Sequence, residues 1–238
     1  TDSDVSYVLG LHEDIAVGAA AGYAMTRRYH GHADSSVLPL GVVNLHLAGG
    51  LAHGLGNVYN ARFSGSPILV TAGNHSVDFQ HEEPILSGDL VEMTQQFTKW
   101  SAEVKHVEAL PAMVRRAVRT ALTPPTGPVF LALPLDVMRA ETEAEPERLG
   151  EIPTAGRGDE RSIERAADAL ADADEPVVVL GDEAARTSGE ATDAAVALAE
   201  ASGARVHGEL LNYEVSFPYD HEQWGGVLPT PEAQARET

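Results

Sequence analysis

A doubly wound α/β fold with a mainly parallel sheet, followed by a truncated second α/β domain, is what this sequence predicts. Three observations lead there. Short apolar runs of strand length alternate with helix-length segments, the pattern of βαβ units. Several of those runs are nearly continuous in Val, Ile and Leu, as strands covered on both faces are. A charged stretch rich in Pro and Gly, residues 140–160, then interrupts the alternation before it resumes.

SYVLGL, residues 6–11, reads as a short buried strand, and Glu13 to Tyr29 as a helix made largely of Ala and Gly. GHADSSVLPLG, 31–41, reads as a loop; VVNLHL, 42–47, as a second buried strand. AGGLAHGLGNVYNARF, 48–63, opens on glycines and becomes a helix, and PILVTAG, 67–73, is a third buried strand. The polar segment from Asn74 to Met93 suits an active-site loop running into a helix. FTKWSAEV, 97–104, is a short strand. The segment from Leu110 has a clean helical period, with Pro111 near its start and a Pro/Gly stop. PVFLALPLDV, 128–137, is a strand. Residues 1–139 then form the first domain, 140–160 a linker, and 161–238 part of a second α/β domain. In that second part RSIERAADALADA is a helix, EPVVVLGD a buried strand, EATDAAVALAEASG a helix, and ARVHGEL the start of another strand.

Composition narrows the function classes. The 238 residues carry 36 acidic against 16 basic side chains, a formal net charge of −20. Such a chain repels phosphate backbones and anionic lipid, so neither nucleic acid nor membrane is an expected partner. Lys99 and Lys105 are its lysines; scarce Lys with abundant Asp, Glu and Ala resembles halophilic proteins, in which salt screens self-repulsion. With no cysteine, disulfides and thiolate metal sites are excluded, and no apolar run reaches the length of a membrane span; the expected location is the cytoplasm. Thr1 in place of Met, and an end in TPEAQARET, predict a chain that continues beyond these residues.

In open parallel sheets ligands sit outside the carboxyl ends of the strands, where Glu13 and His46 fall. A Glu beside a strand end and under a small-residue helix can become desolvated, and desolvation raises a carboxyl pKa and lets the group share a proton with a ligand nitrogen. An acid at a helix start is also what the macrodipole favours, and the stretch alone fits either reading. His46, between an apolar run and the glycines Gly49 and Gly50, suits a proton donor or acceptor at a reacting carbonyl, or a core histidine bonded to backbone. AGGLAHGLG lacks the Lys-Ser/Thr ending of a phosphate loop and the dinucleotide spacing; it marks a close backbone approach. His12-Glu13, His30-x-His32 and His81-Glu82-Glu83 are hard-donor clusters without helical zinc spacing, so no metal ligand is assigned within the chain. His81 is a secondary candidate for substrate contact.

Taken together, these segments resemble one family. LHEDIAVGAAAGYA resembles the strand–Glu–helix segment of the pyrimidine-binding domain of thiamine-diphosphate-dependent enzymes. VVNLHLAGGLAHGLGNVYNARFSGSPILVTAG, FTKWSAEV and TGPVFLALPLDV resemble that domain's continuation. EPVVVLGD and FPYDHEQWGGVLP are similar to the central domain of the same enzymes. Within the family, His46 in the frame NLHxAxG, with TAG at 71–73 and KWS at 99–101, most resembles the benzoylformate decarboxylases. Acetolactate synthases carry Ser-Gly-Pro-Gly at this strand end, and their catalytic glutamine has no match in HEEPIL, since Gln80 lies too early.

The resemblance implies that Glu13 hydrogen-bonds the aminopyrimidine of thiamine diphosphate, favouring the imino tautomer that deprotonates the thiazolium C2. It implies that His46 contacts a 2-oxo acid substrate and moves a proton. Gly49, Gly50 and His53 would line the cofactor; His53 stands where the family usually has Asn. The loop from Tyr29 to Leu40 is longer than in the bacterial decarboxylases. Magnesium and the diphosphate would be held mainly by a further domain with a Gly-Asp-Gly motif, which no stretch of this chain matches. Sites shared between subunits imply a homo-oligomer, a dimer or tetramer, for the complete enzyme. Three functions therefore compete: 2-oxo acid decarboxylation, acetolactate-synthase-like carboligation, and a non-catalytic fragment or subunit.

Overall fold

The structure, a computed structural model, describes residues 6–34, 37–152 and 156–229. It divides into two units, Thr1–Thr154 and Ala155–Thr238.

The first unit is built on four parallel strands: β1 (Gly41–Leu45), β2 (Ile68–Asn74), β3 (Ser101–Glu103) and β4 (Val129–Pro134). Their spatial order is β1-β2-β4-β3, so β4 returns to the centre and the short β3 takes the far edge. Side-chain alternation along the central strands sends residues to two cores. Val43 and Leu45 of β1, Ile68, Val70 and Ala72 of β2, and Phe130 and Ala132 of β4 face one side. There they meet Val17, Ala20 and Ala24 of α1 (Glu13–Ala33), Leu51, Val58 and Ala61 of α2 (Leu47–Phe63), and Leu90 of α3 (Leu90–Gln95). Leu69, Val129 and Leu131 face the other side, against Ala117 and Ala121 of α4 (Leu110–Leu122) and Val137 of α5 (Leu135–Arg139). Helices on both faces are what the apolar runs required.

Helices α1 and α2 approach closely because their contact residues are small. A Cβ on Gly54 would lie 2.9 Å from Leu45 Cδ1 and 3.1 Å from Val17 Cγ2. A Cβ on Gly41 would lie 2.2 Å from the carbonyl oxygen of Ala20, so the start of β1 runs under α1 with no space for a side chain. Asp14 and Asn57 clamp the pair reciprocally. The Asn57 backbone N–H donates to Asp14 Oδ1 at 2.8 Å, and Asn57 Nδ2 donates to the Asp14 carbonyl at 2.8 Å.

Two expectations differ here, one strand and one loop. Residues 6–10 adopt no regular element, and Tyr7, Val8 and Leu11 are more than four-fifths exposed. An apolar run becomes a strand only where a neighbouring strand takes its N–H and C=O groups, and no described strand pairs with this one. Helix α1 also runs four residues past Tyr29, to Ala33, into the segment expected as loop.

The second unit holds α6 (Glu160–Asp172), β5 (Val177–Leu180), α7 (Asp182–Thr187), α8 (Gly189–Ser202), β6 (Arg205–Gly208) and β7 (Trp224–Val227). Its three strands are parallel in the order β5-β6-β7. The core gathers Ala199, Val206 and Phe217, with Trp224 against it. Asp182 ties the unit together: Oδ1 accepts from the N–H groups of Tyr213 and Glu214 at 2.8 and 2.9 Å, and Oδ2 from Arg186 at 2.7 Å. The expected buried strand at EPVVVLGD forms as β5, but at the sheet edge, with Val177 51% and Val179 49% exposed. Continuous valine marked the strand and overstated its cover.

Candidate active site

Glu13 is the first residue of α1. His12 before it is extended, with φ −147° and ψ 138°, and its Nδ1 accepts from the Asp14 N–H at 3.2 Å. The first N–H groups of a helix have no intrahelical acceptor. Glu13 exploits this: its own backbone N–H bonds its carboxylate and holds the carboxyl below the usual Glu range, while burial opposes the shift and His53, then His12, assist it. Of the two sequence readings, a desolvated Glu with a raised pKa and an acid favoured at a helix start, the lowered pKa agrees with the second. The side chain keeps about one-third of its exposure (32%), and hydrogen bonds to the charged form outweigh desolvation.

Helix α2 supplies the facing wall. His53 Nδ1 lies 3.4 Å from Glu13 Oε2. One turn earlier, a Cβ on Gly50 would lie 3.0 Å from Glu13 Oε1, so the glycine leaves the room in which the carboxylate sits. His12 and His53 stack with ring centroids 5.6 Å apart and 20° between planes. Glu13, Gly50 and His53, three of the residues singled out in the sequence, are thus brought together, with His12 added.

His46 ends the apolar run of β1 but stands just outside the strand, as the N-terminal cap of α2, exposed and with no side-chain capping bond. Its carbonyl accepts from the Gly50 N–H at 3.0 Å, which places it one helical turn before the glycine that faces Glu13. The core-histidine reading is set aside by that exposure. Leu47, the next residue, has φ +53°, in the left-handed region that a branched side chain enters only at a cost of about 1–3 kcal/mol. Leu86, across the junction, has φ +67°, and its carbonyl accepts from the Ala48 N–H at 3.3 Å. Two strained leucines therefore meet where the strand turns into the helix. Gly49 is next in line, and a Cβ there would make only ordinary contact with Leu86, at 3.7 Å; space does not require that glycine.

The polar segment after β2 forms a 3₁₀ turn, Val77–Glu82, anchored at the carboxyl ends of the strands. Glu103, 8% exposed, accepts from Asn74 and from Gln80 Nε2 (3.3 Å) and pairs with Lys105. Gln80 also donates to the His75 carbonyl at 3.0 Å, a scaffold bond. His81 is on the surface, 72% exposed and 3.2 Å from Glu82; nothing joins it to Glu13. The KWS segment is scaffold as well. Lys99 donates to the carbonyls of Thr120 and Thr123 (2.6 Å to the latter), capping the end of α4. Trp100 lies 4.7 Å beneath the Arg116 guanidinium, and Ser101 bonds Thr94 and Thr98.

Sequence reading passed over His12 and the Asp14–Asn57 clamp. The signal for His12 was present as a hard-donor pair with Glu13, but its partner lies 41 positions on, in another helix.

Comparison with known proteins adds a separate set of likenesses. Residues 1–102 match the family described as "Thiamine pyrophosphate enzyme, N-terminal TPP binding domain". Over 95% of its length the chain is 31% identical to benzoylformate decarboxylase of Pseudomonas aeruginosa, of which it covers 41%. Over 74% of its length it is 29% identical to the mitochondrial acetolactate synthase catalytic subunit of Saccharomyces cerevisiae, of which it covers 26%. Among solved structures, the thiamine diphosphate-dependent 4-hydroxybenzoylformate decarboxylase of Rhodococcus jostii superposes with a TM-score of 0.83 at 33% identity, over 97% of this chain and 42% of that one. The chain thus spans less than half the length of each of these relatives. The Glu-led helix start, the glycine that faces it and the parallel sheet agree with these likenesses: residues 1–102 match an N-terminal thiamine pyrophosphate-binding domain, and most of the chain is similar to thiamine-diphosphate-dependent enzymes.

Proposed function

We propose that this chain contributes the pyrimidine-binding part of a thiamine-diphosphate-dependent 2-oxo acid decarboxylase of the benzoylformate type. In this reading residues 1–139 are the pyrimidine-binding domain, 140–160 a linker, and 161–238 part of the central domain. The observation that carries it is the environment of Glu13: a one-third exposed carboxylate held by a helix start, its carboxyl below the usual range, seated in the space that Gly50 leaves.

The residues fit the cofactor. A one-third exposed carboxylate can accept from a protonated ring nitrogen of the pyrimidine, and Gly50 leaves the space in which that carboxylate is seated. When bound, thiamine diphosphate supplies the electron sink for cleaving the bond between the carboxylate and the 2-oxo carbon. Glu13 holds, at one carboxylate oxygen, the proton it shares with the pyrimidine nitrogen; a Gln there could not give it up. His53 orients that carboxylate through its Nδ1. His46, exposed at the strand end and aimed by the strained Leu47, holds or moves a proton at the substrate. Magnesium and the diphosphate are held by residues other than these. The complete protein is a homo-oligomer and works in a cytoplasm rich in salt.

The test is Glu13→Gln in the complete polypeptide. Exchange of the thiazolium C2 proton, followed by NMR, should fall by orders of magnitude while the far-ultraviolet circular dichroism is unchanged; near-normal exchange refutes the assignment. Likeness to the yeast acetolactate synthase supports a second reading, carboligation. Product analysis separates the two: an aldehyde with carbon dioxide supports decarboxylation, a 2-hydroxy-2-methyl-3-oxo acid supports ligation.

A further inference from the structure

We propose that His12, Glu13 and His53 form a binding site for a divalent metal ion of the zinc class, and that an ion held there masks the Glu13 carboxylate. The masking half rests on the role proposed above for Glu13.

One ligand atom from each of the three side chains lies within 4.8 Å of the other two, and no other group of three His, Cys, Asp or Glu side chains does so among the described residues. Zinc bonds nitrogen and carboxylate oxygen at about 2.0–2.2 Å in tetrahedral sites, which sets the edges of the tetrahedron at about 3.4 Å. The Glu13–His53 contact already has that length, 3.4 Å. His12 and His53 are exposed, so their rings can rotate to close the remaining gap. The backbones that carry them move little, because the Asp14–Asn57 clamp fixes the start of α1 against α2 with two bonds of 2.8 Å.

The donor set selects the ion. Two imidazoles and one carboxylate make the three-ligand pattern of open zinc sites, leaving a fourth position for water. Imidazole suits zinc, cobalt, nickel and copper, whereas magnesium demands oxygen, so this site does not compete for the magnesium of the cofactor. The partial positive charge of the α1 N-terminus opposes a cation; the Glu13 carboxylate and the field of a chain with net charge −20 favour one. Ligation through His12 costs at most its long cap to the Asp14 N–H, 3.2 Å.

The experiment uses the 238-residue chain and cobalt(II) as a visible probe. Titration should give a one-to-one complex with the strong visible absorption of low-coordinate cobalt, bleached by an equivalent of zinc. His53→Ala should weaken cobalt binding more than about tenfold, the lower end of what loss of even an outer-sphere partner costs. That variant retains its fold, since the side chain is 64% exposed and Ala is the better helix former. His81→Ala, on the surface, should bind as the parent does. Absence of the one-to-one spectrum, or parent-like binding by His53→Ala, overturns the site. One equivalent of zinc should also shift the Glu13 carboxyl resonance in a carbon-13 NMR spectrum; an unmoved resonance overturns the masking. None of these measurements involves the cofactor, so their failure leaves the Glu13 assignment to be judged by C2 exchange alone.

Discussion

Gly50→Ala should make the protein more stable and the site worse. The glycine sits inside α2, where replacing Gly by Ala gains about 0.8–1.0 kcal/mol of helix propensity. Against that stands a new Cβ lying 3.0 Å from Glu13 Oε1, 3.4 Å from Cγ and 3.5 Å from Cδ. Carbon–carbon contacts settle at about 3.5–4.0 Å, so the carboxylate must yield by a few tenths of an ångström. It can do so at small cost, because it is the far end of a flexible, one-third exposed side chain. The net expectation is a gain of about 0.5–1 kcal/mol, or about 1–4 °C in Tm for a unit of this size. Urea unfolding should show it as a raised midpoint at unchanged slope. The displaced Glu13 no longer meets His53 at 3.4 Å, and C2 proton exchange in the complete polypeptide should fall. A loss of stability above about 1 kcal/mol would refute the reasoning, for it would mean that Gly50 packs against something that cannot move.

Other perturbations probe the scaffold and the charge state. Gly41→Ala forces a Cβ to 2.2 Å from the Ala20 carbonyl oxygen; backbone must separate from backbone, and urea unfolding should show a loss of 3 kcal/mol or more, at or beyond the top of the usual overpacking range of about 1–3. Lys99→Met removes charged donors from the carbonyls of Thr120 and Thr123 and should cost about 1–3 kcal/mol by the same assay. Burial, and then the Arg62 charge, hold the Lys99 pKa below its ordinary value, so the unfolded chain keeps that proton to higher pH. Stability contributed by this group therefore rises with pH between the lowered and the ordinary lysine pKa, a rise that Lys99→Met should lack. For Glu13, NMR titration of the carboxyl should give a midpoint below the ordinary Glu value; one at or above it refutes the hydrogen-bonded helix start. The linked stability is present above the ordinary value and is lost as pH falls through the lowered one.

Much of the first unit was legible because its central strands, β2 and β4, are buried on both faces, whereas β1 is half exposed, with Val42 on its open face. Short, mostly apolar runs at 42–45, 67–72 and 128–133 left little choice of element, and their parallel pairing follows from the helices between them. Reading failed where burial was inferred from apolarity alone. SYVLGL and EPVVVLGD contain apolar runs like those of the central strands, yet one forms no strand and the other an edge, because cover is a property of neighbours and not of the run itself. The site was half legible. Glu13 and Gly50 were named through the family resemblance, since the stretch around Glu13 alone fits either reading. His12 could not be joined to His53, since the contact between α1 and α2 joins residues 41 positions apart, and period or motif reasoning reaches only along one element. KWS was legible as a signature, but its chemistry is capping and packing.

The charge state of Glu13 shows why position mattered more than burial. An acid in a helix interior finds every nearby N–H committed, so cover alone would decide its pKa and push it up. At the first helical position the acid has an uncommitted N–H of its own, and here that bond and His53 together outweigh desolvation. The two influences respond differently to a ligand. Bonding within the helix start persists whatever lies above it, whereas exposure disappears when a flat ring covers the carboxylate. In the role proposed for Glu13, such cover would move the pKa upward from a lowered starting point. A carboxylate placed deeper would begin protonated and could not accept; one placed on an open loop would stay ionised and could not donate.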